Sequence, residues 1–279
     1  MATLPVSHGV EAGKTGSTDP LRDAAAPRGT AGPIDARAGR ALDEKALIVE
    51  ATARGLTEER RDAVRRKSLA DDPWWYHPYA HLAATTGIGI GVLAASIVGM
   101  TRLPDPVRAT DLLVIPGVAL FANYFEWRVH RDILHKRSWP FEIMYDKHTA
   151  MHHMVYVEED MPLRRVEEFR LVLIPAAGVL GIVLATAPLA LALAYFWSAA
   201  AGWLFLLTAS LFMVSYELLH LAYHAPTDSA VGRMRIIAKL RTHHARHHDP
   251  RIMQRYNFNV TVPLFDWLMG TMAPKRNTP

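Results

Sequence analysis

Ten of the 14 histidines fall into four clusters: His130 and His135; His148, His152 and His153; His220 and His224; His244, His247 and His248. Imidazole at this density is a ligand set for first-row transition metals, and ten rings exceed what one tetrahedral or octahedral ion can hold, so the clusters imply two metals. The chain has no cysteine. That excludes thiolate-ligated zinc, iron–sulfur clusters, disulfides and thiolate-ligated haem together. Redox chemistry in this chain therefore runs through histidine. Two adjacent irons are the pair that activation of O2 needs, although zinc accepts the same imidazoles.

The spacing within the clusters carries further content. His148 and His152, His220 and His224, and His244 and His248 are i, i+4 pairs, which one face of a helix presents together with Cβ atoms ~5–6 Å apart, close enough to clamp one ion. His153 and His247 each sit beside a pair member, about 100° round a helix, and are placed to reach a second ion or bridge a neighbouring ligand set. His130 and His135 are five apart, about 140° on a regular helix, so the second is expected where the helix ends or bulges. Glu126 and Glu217 precede His130 and His220 by four and three residues. Each carboxylate is thus placed to accept the outer ring N–H of a ligand and fix its tautomer, or is a charge at a membrane boundary. Asp266, Asp146 and Asp249 are further candidates of this kind, and Asn257 and Asn259 are candidates to hold the last loop over the site.

Every cluster lies beside a long apolar run. Half of the 279 residues are hydrophobic and mean hydropathy is slightly positive. Leu82–Thr101 carries no charge, and Leu171–Tyr216 passes 46 residues without Asp, Glu, Lys or Arg. One helix of that length would reach ~69 Å, about twice the hydrocarbon core, so the segment crosses twice, with a turn expected at Pro188. Leu112–Phe125 supplies another span. The fold class expected is all-α: a polytopic membrane protein of about four spans with a helical cap carrying the histidines.

Basic residues orient the spans. Twelve Lys and Arg precede the first span, eight lie in 128–170 and nine follow Tyr216, against two between Met100 and Asp111. The positive-inside rule then places both termini and all four clusters on the cytoplasmic side. The net charge of +4 reflects this bias and gives no reason to invoke nucleic acid. Residues 1–40 have no apolar periodicity and no signal-peptide core, and read as a disordered tail. Residues 41–73 read as a cytosolic or surface-lying amphipathic helix with a basic run, Arg60-Arg61 to Arg65-Arg66-Lys67. Trp74, Trp75, Tyr76 and Tyr79 form an interfacial aromatic anchor; His77 and His81 within it, and His243, are read as polar neighbours outside the ligand set. Arg241, Arg246, Arg251 and Arg255 read as a solvated patch able to meet an acidic electron donor or lipid phosphates.

Four motifs, His130-Arg-Asp-Ile-Leu-His135, His148-Thr-Ala-Met-His152-His153, His220-Leu-Ala-Tyr-His224 and His244-Ala-Arg-His247-His248, resemble in order and separation the histidine boxes of the fatty acid hydroxylase and sterol desaturase superfamily. The segments Phe169-Arg170-Leu171-Val172 and Pro263-Leu264-Phe265-Asp266-Trp267-Leu268-Met269-Gly270-Thr271 resemble its fatty acid 2-hydroxylase branch. The resemblance covers roughly Trp74 to Thr271, with residues 272–279 as a tail. It implies a four-helix anchor, a cytosolic cap with a dimetal centre and O2-dependent hydroxylation of a fatty acyl or sphingolipid chain. The chain departs from the branch at Tyr216-Glu217, where relatives tend to have Tyr-Asp. Residues 1–69 offer no haem-binding domain, so a separate cytochrome b5-, ferredoxin- or reductase-type electron donor is expected. A sterol or carotenoid oxidase or a desaturase would use the same kind of site. A metal transporter fits poorly, because the charge-free spans carry no ligand along their length, and no His-Glu-x-x-His motif supports a metalloprotease.

Overall fold

The computed structural model describes residues 57–70 and 73–275, and the tail expected at 1–40, residues 41–56 and the last four residues lie outside them. Among the described residues the chain is helical, apart from one isolated antiparallel bridge between Val157 and Asp160. Helix α1 is Glu58–Ala70, α2 Pro78–Thr101, α3 Val114–Val129, α4 Glu142–Lys147, α5 His153–Val155, α6 Phe169–Val172, α7 Ala176–Phe196, α8 Ala199–Tyr223, α9 Arg235–His247 and α10 Leu264–Leu268. A 3₁₀ turn, Asp111–Leu113, leads into α3, and π-helical turns follow α3 at His130–Leu134 and α4 at His148–His152.

Four stretches are long and apolar enough to cross a bilayer: Pro78–Thr101, Asp111–Leu134, Val166–Phe196 and Ala199–Tyr223. The protein is an integral membrane protein. Local chemistry sets where the spans begin. Pro78 starts α2 with its φ already helical, and the His77 ring accepts the Ala80 N–H. Ser198 does the same for α8 by accepting from Ala201 N at 3.0 Å. Large apolar side chains such as Ile97, Leu120, Phe121, Leu184 and Leu191 are exposed on the bundle surface, where lipid replaces protein as the neighbour.

The turn expected at Pro188 is not there. Pro188 lies inside α7, and the chain reverses at Trp197–Ser198. Length explains this. A break at Leu173–Pro175 delays the start of α7 to Ala176, and about 20 residues are then needed to cross ~30 Å, which carries the helix past Pro188.

Helix α8 is central and packs against α2, α3 and α7. Val114, Val118, Ala190, Ala201, Leu204 and Phe205 form the core between α3, α7 and α8. Small residues allow the close approach: a Cβ on Gly202 would lie 2.7 Å from Ala194 Cβ and 2.8 Å from the Ala190 carbonyl oxygen. Away from the histidines, Asp111 accepts from Arg108 N and Ser198 Oγ, both at 2.8 Å, and Arg108 donates to Trp197 O at 3.2 Å. This ties the 102–111 connection to the α7–α8 turn.

Helix α1 departs from a surface-lying amphipathic helix. Its Val64 and Leu69 enter a core with Met154, Val155, Tyr156, Leu171 and Val172. Arg65, read as part of a basic surface run, is only 4% exposed, because Asp62 at 2.8 Å and Glu168 at 3.6 Å compensate its charge.

One prediction tests the bundle. Gly202→Val forces a branched side chain onto the α7 backbone, and overpacking of this kind costs about 1–3 kcal/mol. The thermal unfolding midpoint in detergent falls; an unchanged midpoint would mean that α7 and α8 separate freely there.

Candidate metal centre

The fold gathers the ten clustered histidines at one end of the bundle, where α3 and α8 finish. They form two groups: His130, His135, His148, His153 and His247; and His152, His220, His224, His244 and His248, each with one ring nitrogen per residue within 4.8 Å of the others. Nine are buried, and His148 keeps partial exposure. The groups share a wall, with His153 and His248 stacked at 4.1 Å between ring centroids.

Helix type sorts the rings. In a π turn the N–H of residue i+5 bonds the carbonyl of residue i, so side chains five apart share a face. His135 N donates to His130 O at 3.2 Å, and His153 N donates to His148 O in the same pattern. Both i, i+5 pairs enter the first group. The i, i+4 pairs, His220 with His224 on α8 and His244 with His248 on α9, enter the second. The expected clamp of one ion by His148 and His152 does not form: the wider turn sends them to different groups. His152-His153 and His247-His248 each give one ring to each group.

Backbone carbonyls fix the tautomers. Nδ1 of His152, His224 and His248 donates at 2.8 Å to the carbonyls of Leu171, Met161 and Tyr156, and His247 Nδ1 donates at 2.9 Å to Tyr256 O. His130 Nδ1 donates to Phe258 O. Thr149 spends its hydroxyl proton on Leu134 O at 2.5 Å, so its oxygen accepts His135 Nδ1–H at 3.1 Å. In a neutral ring with Nδ1 protonated, Nε2 holds only a lone pair.

Those lone pairs face one another. His135 Nε2 lies 2.9 Å from His247 Nε2 with no proton between them. His130 Nε2 and His148 Nε2 are 2.8 Å apart, and Nε2 of His152, His220 and His224 is buried with no hydrogen-bond partner. Nitrogens bound to one ion at about 2.0–2.1 Å lie about 3 Å apart, so the donor set fits a cation in each group. Burial holds His135, His148, His153, His224, His244, His247 and His248 well below the ordinary imidazole range, and His152 at about 4. The rings stay neutral, as metal ligands must be.

The carboxylates expected to receive the ring N–H of a clustered histidine bond elsewhere. Glu126 accepts from Val260 N, from Thr261 N at 2.9 Å and Thr261 Oγ1 at 2.6 Å, and from Asn259 Nδ2 at 3.3 Å. Asp266 accepts from Phe258 N at 2.9 Å, Asn259 N at 2.7 Å, Thr271 Oγ1 at 2.7 Å and His243 Nε2 at 3.1 Å. Both hold the strap 256–261, whose carbonyls then meet His130 and His247. Asn257, at φ 60°, and Asn259 do hold this strap, donating to His243 O at 2.9 Å and Asn123 O at 3.0 Å. Glu217 accepts Ile174 N at 3.0 Å. Asp146 pairs with Arg137 and Asp249 with Arg251.

Other residues also differ from their sequence reading. Arg241 leaves the solvated patch: it donates at 3.2 Å to the carbonyls of Ala222 and Ala225 and caps α8 beside His224. His81 contacts Ile174 O, outside both groups. Tyr156 carried no sequence signal, yet its carbonyl holds His248, its ring lies 4.6 Å from His224 and its hydroxyl donates to Glu168 at 2.8 Å.

Residues 115–271 match the sequence profile described as fatty acid hydroxylase. A solved structure described as "Full length scs7p (only hydroxylase domain visible)" is 20% identical, over 75% of this chain and 70% of that chain, with a TM-score of 0.46. No curated protein matches the chain.

The buried rings dictate a pH dependence for metal-stripped protein. Between pH 6.5 and about 4 an unfolded His152 takes a proton that the folded ring refuses. The unfolded state binds more protons in that window, so stability falls as pH falls through it. The unfolding midpoint of stripped protein should drop from pH 7 to pH 4; a flat profile would contradict the enforced neutrality.

Proposed function

The chain belongs to the fatty acid hydroxylase family and is a membrane hydroxylase, and from that premise we propose that it hydroxylates a fatty acyl chain, free or in a sphingolipid, at the carbon next to the carbonyl. The observation that carries this reading is the pair of five-histidine groups with converging lone pairs at one end of four candidate spans. A site at that depth meets a lipid near its headgroup, where the carbonyl and its neighbouring carbon lie. The resemblance of Phe169–Val172 and Pro263–Thr271 to the 2-hydroxylase branch supports the same position.

Each group would hold one iron, with zinc able to occupy the same nitrogens. When bound, the pair supplies activation of O2 and insertion of one oxygen atom into a C–H bond. The chain's own part is to keep ten rings neutral and aimed, and to exclude water. Tyr156, Tyr223 and Phe258, all at 0% exposure, pack against the rings. Electrons come from a separate cytochrome b5-, ferredoxin- or reductase-type donor. Both termini and the site lie on the cytoplasmic side by the distribution of Lys and Arg. The catalytic unit is 74–271.

Purified protein should hold two metals per chain by elemental analysis. His135→Ala in one group and His224→Ala in the other should each remove metal and abolish turnover; two metals retained in either variant would remove that residue from the ligand set.

Cells expressing the chain should accumulate lipids heavier by one oxygen, with the label present when ¹⁸O2 is supplied and absent when the label is in water. Products lighter by two hydrogens would mean desaturation, and unchanged acyl chains would move the substrate to another lipid class.

A further inference from the structure

Pro175 stands four residues after Leu171, where the next backbone N–H of a continuing helix would bond the Leu171 carbonyl. Proline has no N–H, and its ring clashes with the carbonyl four residues back. The helix stops: Leu173 is extended at φ −82°, ψ 145°, Pro175 sits at φ −57°, ψ 143°, and α7 begins at Ala176. Unpaired backbone at membrane depth must find partners within the protein. Glu217 Oε2 takes the Ile174 N–H at 3.0 Å, and Thr85 Oγ1 at 3.0 Å and His81 Nε2 at 3.4 Å donate to Ile174 O. The Leu171 carbonyl accepts Nδ1–H of His152 at 2.8 Å.

His152 is the one member of the second group that comes from the 148–153 segment; the other four come from the ends of α8 and α9. We propose that Pro175 is a positioning residue for the second histidine group, breaking the third span so that the Leu171 carbonyl is free to set the tautomer and direction of the His152 ring. The inference rests on reading His152 as a metal ligand. Thr85, His81 and Glu217 hold the break open, which gives these polar side chains inside the spans a task connected to the metal site.

In Pro175→Ala the helix can run from Phe169 into α7, and the backbone N–H restored by the substitution takes the Leu171 carbonyl. Loss of such an orienting bond typically weakens a metal site about 10–100-fold. Metal-stripped protein in detergent is titrated with Zn²⁺ against a chromophoric chelator. Wild type should bind two ions, and Pro175→Ala should bind one as tightly and the other about 10–100-fold more weakly.

Equal affinities in wild type and Pro175→Ala would overturn the proposal. A wild type that takes up no zinc would remove the ligand reading beneath it, a different failure. If Pro175→Ala does not accumulate, Thr85→Val replaces it: this near-isosteric change removes one tether of the break and should weaken the same ion, and unchanged zinc affinity would overturn the proposal.

Discussion

Ten imidazoles gathered in two groups, six of them with Nδ1 spent on an outer acceptor and a bare Nε2 lone pair turned inward, are costly as a dry cluster. Nine of the ten rings are buried, most are barred from protonation by burial, and pairs such as His135 and His247 face each other at 2.9 Å without a proton to share. The arrangement makes physical sense around cations. The rest of the molecule answers that requirement. The spans bring four chain segments to one end of the bundle, and a carbonyl or hydroxyl oxygen beyond six of the rings decides which nitrogen carries the proton. Because the carbonyls belong to the main chain, the ligand geometry is only as good as the backbone that presents them, which is why Glu126 and Asp266 are spent on the 256–261 strap.

The membrane sets the terms of that backbone. Regular helix hides its own carbonyls, so acceptors for histidine must come from places where helix ends. Tyr156 is extended at the end of α5, Leu171 precedes the break in the third span, and Tyr256 and Phe258 lie in the strap. Interruptions that would be defects in a plain anchor are here the source of hydrogen-bond acceptors.

The sequence showed the spans and the four histidine clusters beside them, which the fold gathers at one end as two groups of donors, because charge-free length and histidine count are local properties. It also indicated an irregular helix between His130 and His135, since five residues do not fit one face of an α-helix. It did not show which rings share a group. A π turn adds one residue per turn without a compositional mark, and so His148 pairs with His153 rather than His152. The Glu126 and Glu217 assignments failed for a related reason: short spacing along a helix brought carboxylate and ring near each other, but backbone donors from distant segments took the carboxylates first. The break that moved the α7–α8 turn beyond Pro188 was visible only as an ordinary proline at 175. Arg65 read as surface because two of the three acids around it, Asp160 at 3.9 Å and Glu168 at 3.6 Å, lie about a hundred residues on.

The carbonyl that orients His130 belongs to Phe258, 128 residues later in the chain, and the strap that carries it is held by Asp266 and by Thr271 O, which accepts from Asn257 N at 2.8 Å. Synthesis from the N-terminus therefore delivers all four spans, and with them His130, well before the part that finishes the first ligand group. The acceptor for a ring at the end of α3 is thus supplied only once the chain has passed all four candidate spans.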